Sequence, residues 1–188
     1  MTLSANDGFR AKVLIGAVAL VLSGAAAALA GPARVQTAED GWTTYKSDEF
    51  GYSLYYPSAY FEPQGIAAEG EPKTFVSPDG KAKLVVSGAD NDEGFTLADY
   101  RSTILDEFGG YDHLDYSPKG QTWFVLSGYR EETIYYQKVL FSCNGRIINA
   151  LSVTFPAAEK AFYEGLIEIM EDGFRPGRGV DAPARCTS

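Results

Sequence analysis

The stretch "ETIYYQKVLFSCNGRIINALSVTFP", residues 132–156, decides how this chain folds. Asn144-Gly145 is a strong two-residue hairpin signal. The mirror-image turns that suit twisted strands need positive φ at both positions, and Asn and Gly tolerate this best. A turn there places Phe141 opposite Ile148, Val139 opposite Ala150 and Tyr136 opposite Val153. Both arms carry apolar residues on both faces, the pattern of central strands covered on both sides.

Working outward, "EFGYSLYYPSAYFEPQG" (49–65) alternates with period two. Phe50, Tyr52, Leu54 and Tyr56 fall on one side of an extended strand, and Gly51, Ser53 and Tyr55 on the other, until Pro57 ends the run. The Gly-, Pro- and Glu-rich segment 58–72 reads as a long loop. "KTFVSPDGKAKLVVSG" reads as two strands around Asp79-Gly80. Thr96 with Asp99 resembles a capping box. Leu97, Tyr100, Ile104, Leu105 and Phe108 then share one helical face until Gly109-Gly110 stop it. A short strand near His113 and the apolar "QTWFVLSGYR" precede the hairpin. Pro156 opens a last helix whose expected core stripe is Phe162, Leu166, Ile169 and Met170, ending at Gly173. Helices do not alternate with every strand, so the class is α+β around a mainly antiparallel sheet, with helices on both faces in three α/β/α layers.

"FGYSLYYP" in the first strand, "GYREETIYYQKVLFSCNGRIINALSVTFP" and the closing "FRP" together resemble exported bacterial proteins with a PsbP-like fold. The resemblance spans roughly residues 43–176 and rests on structural motifs, so it implies the three-layer fold more than any activity. It also implies a non-enzymatic role. Members of the wider fold include an extrinsic photosynthetic subunit, a small-GTPase-binding protein, secretion chaperones and envelope proteins. It supplies no catalytic motif that these residues match.

Arg10 and Lys12, the apolar run at 13–30 and the small-x-small ending at Ala28-Leu29-Ala30 make a secretory signal pattern, with cleavage expected after Ala30. The expected organisation is a signal peptide at 1–30, a leader at 31–41, one domain at 42–176 and a tail at 177–188. The mature chain then has no membrane span and is periplasmic or extracellular. Cleavage would remove Arg10, Lys12 and Asp7, taking the net charge from −9 to −10. So acidic a chain, without a basic cluster, argues against nucleic acid and anionic lipid, both of which are held by Lys and Arg. In an oxidising compartment the only two cysteines, Cys143 and Cys186, are expected to form a disulfide around 42 intervening residues. The chain-entropy model values such a loop at roughly 4 kcal/mol.

Three clusters are candidates for chemistry. Tyr60 and Phe61 could present an aromatic platform to a partner. Asp90, Asp92 and Glu93 could gather around calcium or manganese, although the spacing lacks the bidentate glutamate of a calcium loop. Asp112, His113 and Asp115 lie together, but one histidine between acids is short of a zinc site. A hydrolase would draw its acid pair from Asp112 with Asp115, or Glu131 with Glu132. No phosphate loop, nucleophile elbow or zinc helix is present in the sequence. The expectation is therefore a non-catalytic exported domain that needs no cofactor and binds a protein or envelope component.

Overall fold

A computed structural model describes residues 41–65, 71–107 and 111–177, all within one compact unit. Its strands are β1 (Thr43–Lys46), β2 (Ser53–Tyr56), β3 (Glu62–Pro63), β4 (Lys73–Val76), β5 (Lys83–Asp90), β6 (His113–Tyr116), β7 (Trp123–Arg130), β8 (Thr133–Ser142) and β9 (Ile147–Pro156). The α-helices are α1 (Leu97–Glu107) and α2 (Lys160–Gly173). The expected signal peptide lies outside the described residues. So do the leader apart from Gly41, the tail apart from Gly177, Phe108, the Gly109-Gly110 stop and Cys186.

The β8–β9 hairpin has the register the turn dictates: Phe141 faces Ile148, Val139 faces Ala150 and Tyr136 faces Val153. Asn144 (φ 57°, ψ 38°) and Gly145 (φ 85°) both occupy the left-handed region. The Arg146 N–H closes the turn on the Cys143 carbonyl at 3.3 Å. This is the mirror-image geometry that matches strand twist. Among the described residues the main sheet runs β3-β4-β5-β9-β8-β7-β6, antiparallel throughout, so β9 is its centre. β1 and β2 pair in a separate two-stranded sheet, and Ser53 exchanges backbone hydrogen bonds with Arg175 beyond α2.

Side-chain period divides the core. Along β7, Val125 belongs to the cluster that holds α2 and β2, whereas Phe124 and Leu126 belong to the cluster beneath α1. Leu151 and Val153 of β9 join the first, Ile148 and Val139 the second. The expected face of the first aromatic strand is buried as read: Phe50, Tyr52, Leu54 and Tyr56 are all core. Fully burying a large apolar side chain contributes about 1.5–3 kcal/mol.

Local devices match their sequence signals. Thr96 Oγ1 accepts from the Asp99 N–H at 3.2 Å while the Thr96 N–H donates to Asp99 Oδ2 at 3.3 Å, a reciprocal cap for α1. Leu97, Tyr100 and Leu105 then pack with buried Ile104 against the sheet. Between β4 and β5, Gly80 (φ 75°) makes the bend, and Asp79 Oδ1 accepts from the Ser77 hydroxyl at 2.7 Å and the Lys81 N–H at 3.1 Å. The Ser77 bond, first of these effects, holds the Asp79 carboxyl below its ordinary pKa.

Two expectations need correction. The segment 58–72 is not loop throughout, because Glu62–Pro63 adds a short edge strand to β4. The buried stripe of α2 is Tyr163, Ile167 and Met170, whereas Phe162 and Ile169 are 44% and 45% exposed. Positions 162/166/169 and 163/167/170 are both helical stripes one residue apart, and the sequence is apolar at all six. A short 3₁₀ turn at Ala157–Glu159 sets the helix's rotation, and packing against β2 and β9 selects the second stripe.

Gly88 of β5 provides a sharp test of how the two sheets meet. A Cβ there would sit 2.4 Å from the Phe50 ring. Gly88→Ala is expected to destabilise the protein by about 1–3 kcal/mol, as overpacking does. In a Phe50→Ala background most of that cost should vanish. Urea unfolding of the four proteins of this cycle measures it.

Candidate binding site

Pro57 stops β2 and starts a helical turn, in which the N–H groups of Tyr60 and Phe61 donate to the Pro57 carbonyl at 3.0 and 3.1 Å. The turn points the two rings apart. Phe61 is fully buried against Tyr163, with ring centroids 6.3 Å apart, so it is a core residue and presents no surface platform. Tyr60 is 45% exposed and meets Phe162 edge-on at 5.1 Å. Phe162 in turn meets Tyr163 at 5.0 Å, and Tyr163 stacks on buried Phe155 at 4.8 Å. An unbroken aromatic chain therefore runs from solvent to core, and Ile169 extends its exposed end along α2 by two helical turns. Sequence reasoning reached Tyr60 but assigned Phe162 and Ile169 to the interior.

Of the acidic candidates, Asp112 and Asp115 have side-chain partners in the fold. Asp90 pairs with Ile147 at the end of β5, and Asp92 and Glu93 are exposed. Between them Asn91 ties the loop to the hairpin turn, its Nδ2 donating to the carbonyls of Phe95 (2.9 Å) and Gly145 (2.7 Å). Among the described residues no group of three His, Cys, Asp or Glu could hold a metal ion, so Asp90, Asp92 and Glu93 do not converge. Asp112 accepts the Glu131 N–H at 2.7 Å, fastening the β7–β8 turn, where Glu131 has φ 51°. Asp115 lies 2.9 Å from His113 Nε2 and 3.6 Å from Lys160. Glu132 offers its carbonyl to Ala157.

Carboxylate chemistry elsewhere is also structural. Glu171 accepts from Tyr136 Oη at 2.6 Å and from Lys138 Nζ at 3.0 Å, clasping the end of α2 to β8. Burial, aided by Glu171, drives the Tyr136 hydroxyl far above its ordinary pKa, so it stays a neutral donor.

A concavity of about 190 Å³ opens on the α1 side of the sheet. Its walls include Tyr111, Arg130, Tyr135, Gln137, Ser152 and Thr154, with Ile104 of α1 at its edge. None of its lining residues is acidic. The sequence held a signal for it. On this face the hairpin runs Val139–Ala150 and then Gln137–Ser152 and Tyr135–Thr154, an apolar pattern that turns polar at one level on both arms.

No protein-family model and no curated protein matches the chain. Among solved structures, it is similar to cyanobacterial PsbP (CyanoP) from Synechocystis sp. PCC 6803, with 17% identity and TM-score 0.50 over 82% of this chain and 98% of that one. The Ran-binding protein Mog1p of Saccharomyces cerevisiae matches with 10% identity and TM-score 0.46, over 66% and 89% of the two chains. A Bacteroides thetaiotaomicron protein matches with 18% identity and TM-score 0.45, over 72% and 48%. The fold is PsbP-like: an α+β arrangement of a mainly antiparallel sheet with two helices.

The two adjacent aromatics of α2 separate surface from core. Phe162→Ser, which loses two edge-on ring contacts at a position 44% exposed, is expected to cost only about 1–2 kcal/mol. Tyr163→Ser, one residue later, should cost about 3–5 kcal/mol. Chemical denaturation of both variants checks the rotation of the helix directly.

Proposed function

We propose that this chain is an exported, non-catalytic binding domain of PsbP-like α/β/α build, which docks a protein partner of the cell envelope through the exposed aromatic edge of α2. The observation that carries this reading is the pairing of Tyr60 with Phe162 at 5.1 Å, with both rings nearly half exposed. Solvent-facing aromatics anchored to a rigid core are what an interface hot spot requires, because little conformational entropy is lost when a partner covers them. The three layers are supported by the two core clusters, one holding α2 and the other α1. Export is supported by the basic, apolar and small-residue pattern of residues 10–30. Among the described residues no helix is long and apolar enough to cross a membrane.

A Cys143–Cys186 disulfide belongs to the same reading. Cys143 is not a free thiol. The backbone of Gly177 passes against Phe50, whose ring lies on Gly88. Gly88 pairs with Asn149, which reaches Ser142 Oγ at 3.0 Å beside Cys143. Gly177 therefore lies at the same end of the sheet as Cys143. The nine residues from Gly177 to Cys186 can extend about 30 Å, ample for the bond.

The test is cross-linked capture from envelope extract by the purified chain and by Tyr60→Ser and Phe162→Ser variants. The expected result is one protein recovered by the parent and lost from both variants, with both variants still folding cooperatively. Equal recovery by parent and variants would refute docking at this edge.

A further inference from the structure

We propose that the solvent face of α2 docks a cationic amphipathic helix, with Lys or Arg side chains against Glu164, Glu168 and Asp172 and an apolar stripe against Phe162 and Ile169. The inference rests on the reading of the aromatic edge as a docking surface, and it supplies the chemistry of the partner.

At about 3.6 residues per turn, Phe162 and Ile169 fall nearly in line along the helix, and Glu164 and Glu168 form a second line. Ala161, Gly165 and Asp172 lie between the two. All of these residues are exposed, whereas Tyr163, Ile167 and Met170 hold the opposite side in the core. Tyr60 borders the apolar line through its 5.1 Å contact with Phe162. Ala161 and Gly165 thus form a shallow groove between an apolar ridge and an acidic one. A second helix packs by laying its own ridge into such a groove.

The fold itself does not call for Gly165. A Cβ there would meet nothing within 4 Å outside the helix's own backbone, so no neighbour requires glycine. In a helix interior glycine is less favourable than any residue but proline. Its missing side chain leaves room for a partner's. The charges serve the helix no better. α2 carries Glu164, Glu168, Glu171 and Asp172 against the single cation Lys160, and its last turn has no basic residue, where the helix dipole favours one. Lys160 turns to the sheet and donates to Tyr129 Oη at 2.8 Å. Glu171 is engaged by Tyr136 and Lys138. Arg175, beyond the helix, donates to the Phe174 carbonyl at 3.3 Å. Among the described residues Glu168 and Asp172 have no ion pair, and Glu164 has the 3.6 Å contact to Lys160.

Charge selects the occupant. A second copy would bring the same carboxylates into one shared interface, where like charges repel. Anionic lipid head groups are repelled in the same way. A helix whose apolar stripe is bordered by Lys or Arg satisfies both ridges, because it covers Phe162 and Ile169 and pairs with the carboxylates beside them. Complementarity of this kind steers encounter and fixes register, and it is screened by salt.

The experiment titrates the purified, isotope-labelled chain with a synthetic Leu/Lys amphipathic helix of about five turns, and with the same peptide carrying Glu for every Lys. The expected result is saturable movement of the α2 amides with the Lys peptide alone, weakening as salt is added. Reversing Glu168→Lys and Asp172→Lys together should weaken binding about tenfold or more. Gly165→Leu should do the same while leaving the unfolding midpoint equal or higher, since Leu is the better helix former. Reversing Asp92→Lys with Glu93→Lys, exposed acids away from α2, should leave binding as in the parent. If the reversed α2 misfolds, Glu168→Gln with Asp172→Asn is read in its place, with a loss of about threefold. The inference is overturned if the Lys peptide does not move these amides, or if the Glu peptide moves them equally. It is overturned as well if reversal at Asp92 and Glu93 weakens binding as much as reversal on α2. Loss of binding in Phe162→Ser with none in the α2 reversal would keep the aromatic edge and refute the cationic partner. Undiminished binding by Phe162→Ser would refute the edge itself. Dimerisation of the chain alone, abolished by Phe162→Ser, would assign the face to a second copy instead.

Discussion

The register of the β8–β9 hairpin is the constraint on which the rest of the structure depends. Side chains alternate with period two, so a slip of one residue would exchange the faces of Val139 and Leu140, and of Leu151 and Ser152. The mirror-image turn at Asn144-Gly145 prevents that slip because few other residue pairs accept its backbone. β9 is also the sheet's centre, with β5 on its other edge over eight residue pairs. One two-residue turn therefore decides which side chains meet α2 and which meet α1.

The second consequence is how the protein divides its two faces. On the α2 side, aromatic packing is continuous: Tyr45 meets Phe75 edge-on at 5.9 Å, Tyr56 lies 4.5 Å from Phe75, and Phe155 stacks on Tyr163. Bulky rings fill a wide gap between two sheets and a helix, and their surplus emerges at Tyr60 and Phe162. On the α1 side an eleven-residue helix packs over Phe124, Leu126, Val139 and Ile148, and beyond it the face carries Gln137, Ser152 and Thr154.

Much of this fold was legible in the sequence. Period two exposed the buried face of the first aromatic strand, and Asn-Gly fixed the hairpin to the residue. The cap at Thr96 was visible as a spacing. Period 3.6 placed Met170 and Leu166 at the core of α2 but misplaced Phe162 and Ile169, because Phe162, Tyr163, Leu166, Ile167, Ile169 and Met170 make two overlapping stripes. Only the rotation imposed by the preceding 3₁₀ turn chooses between them. Phe61 and Tyr60 were indistinguishable for a similar reason: a helical turn after Pro57, unreadable locally, sends one inward and one outward. The hollow beside α1 draws on three consecutive strands, on Ile104 of α1 and on Gly128 admitting Tyr111, so its residues share no single local motif. Asp112 looked like chemistry because a carboxylate is also what fastens a turn, here by accepting the Glu131 N–H.

Native-state hydrogen exchange tests the central claim, that the β8–β9 register organises the fold. Amides of β8 and β9 between Ile134 and Phe155 should be the slowest in the protein and should exchange only with global unfolding, while those of the edge strands β3 and β6 open locally. Exchange of the β9 amides at rates like those of β3, with the slowest protons in α1 or the β1–β2 pair, would contradict the account.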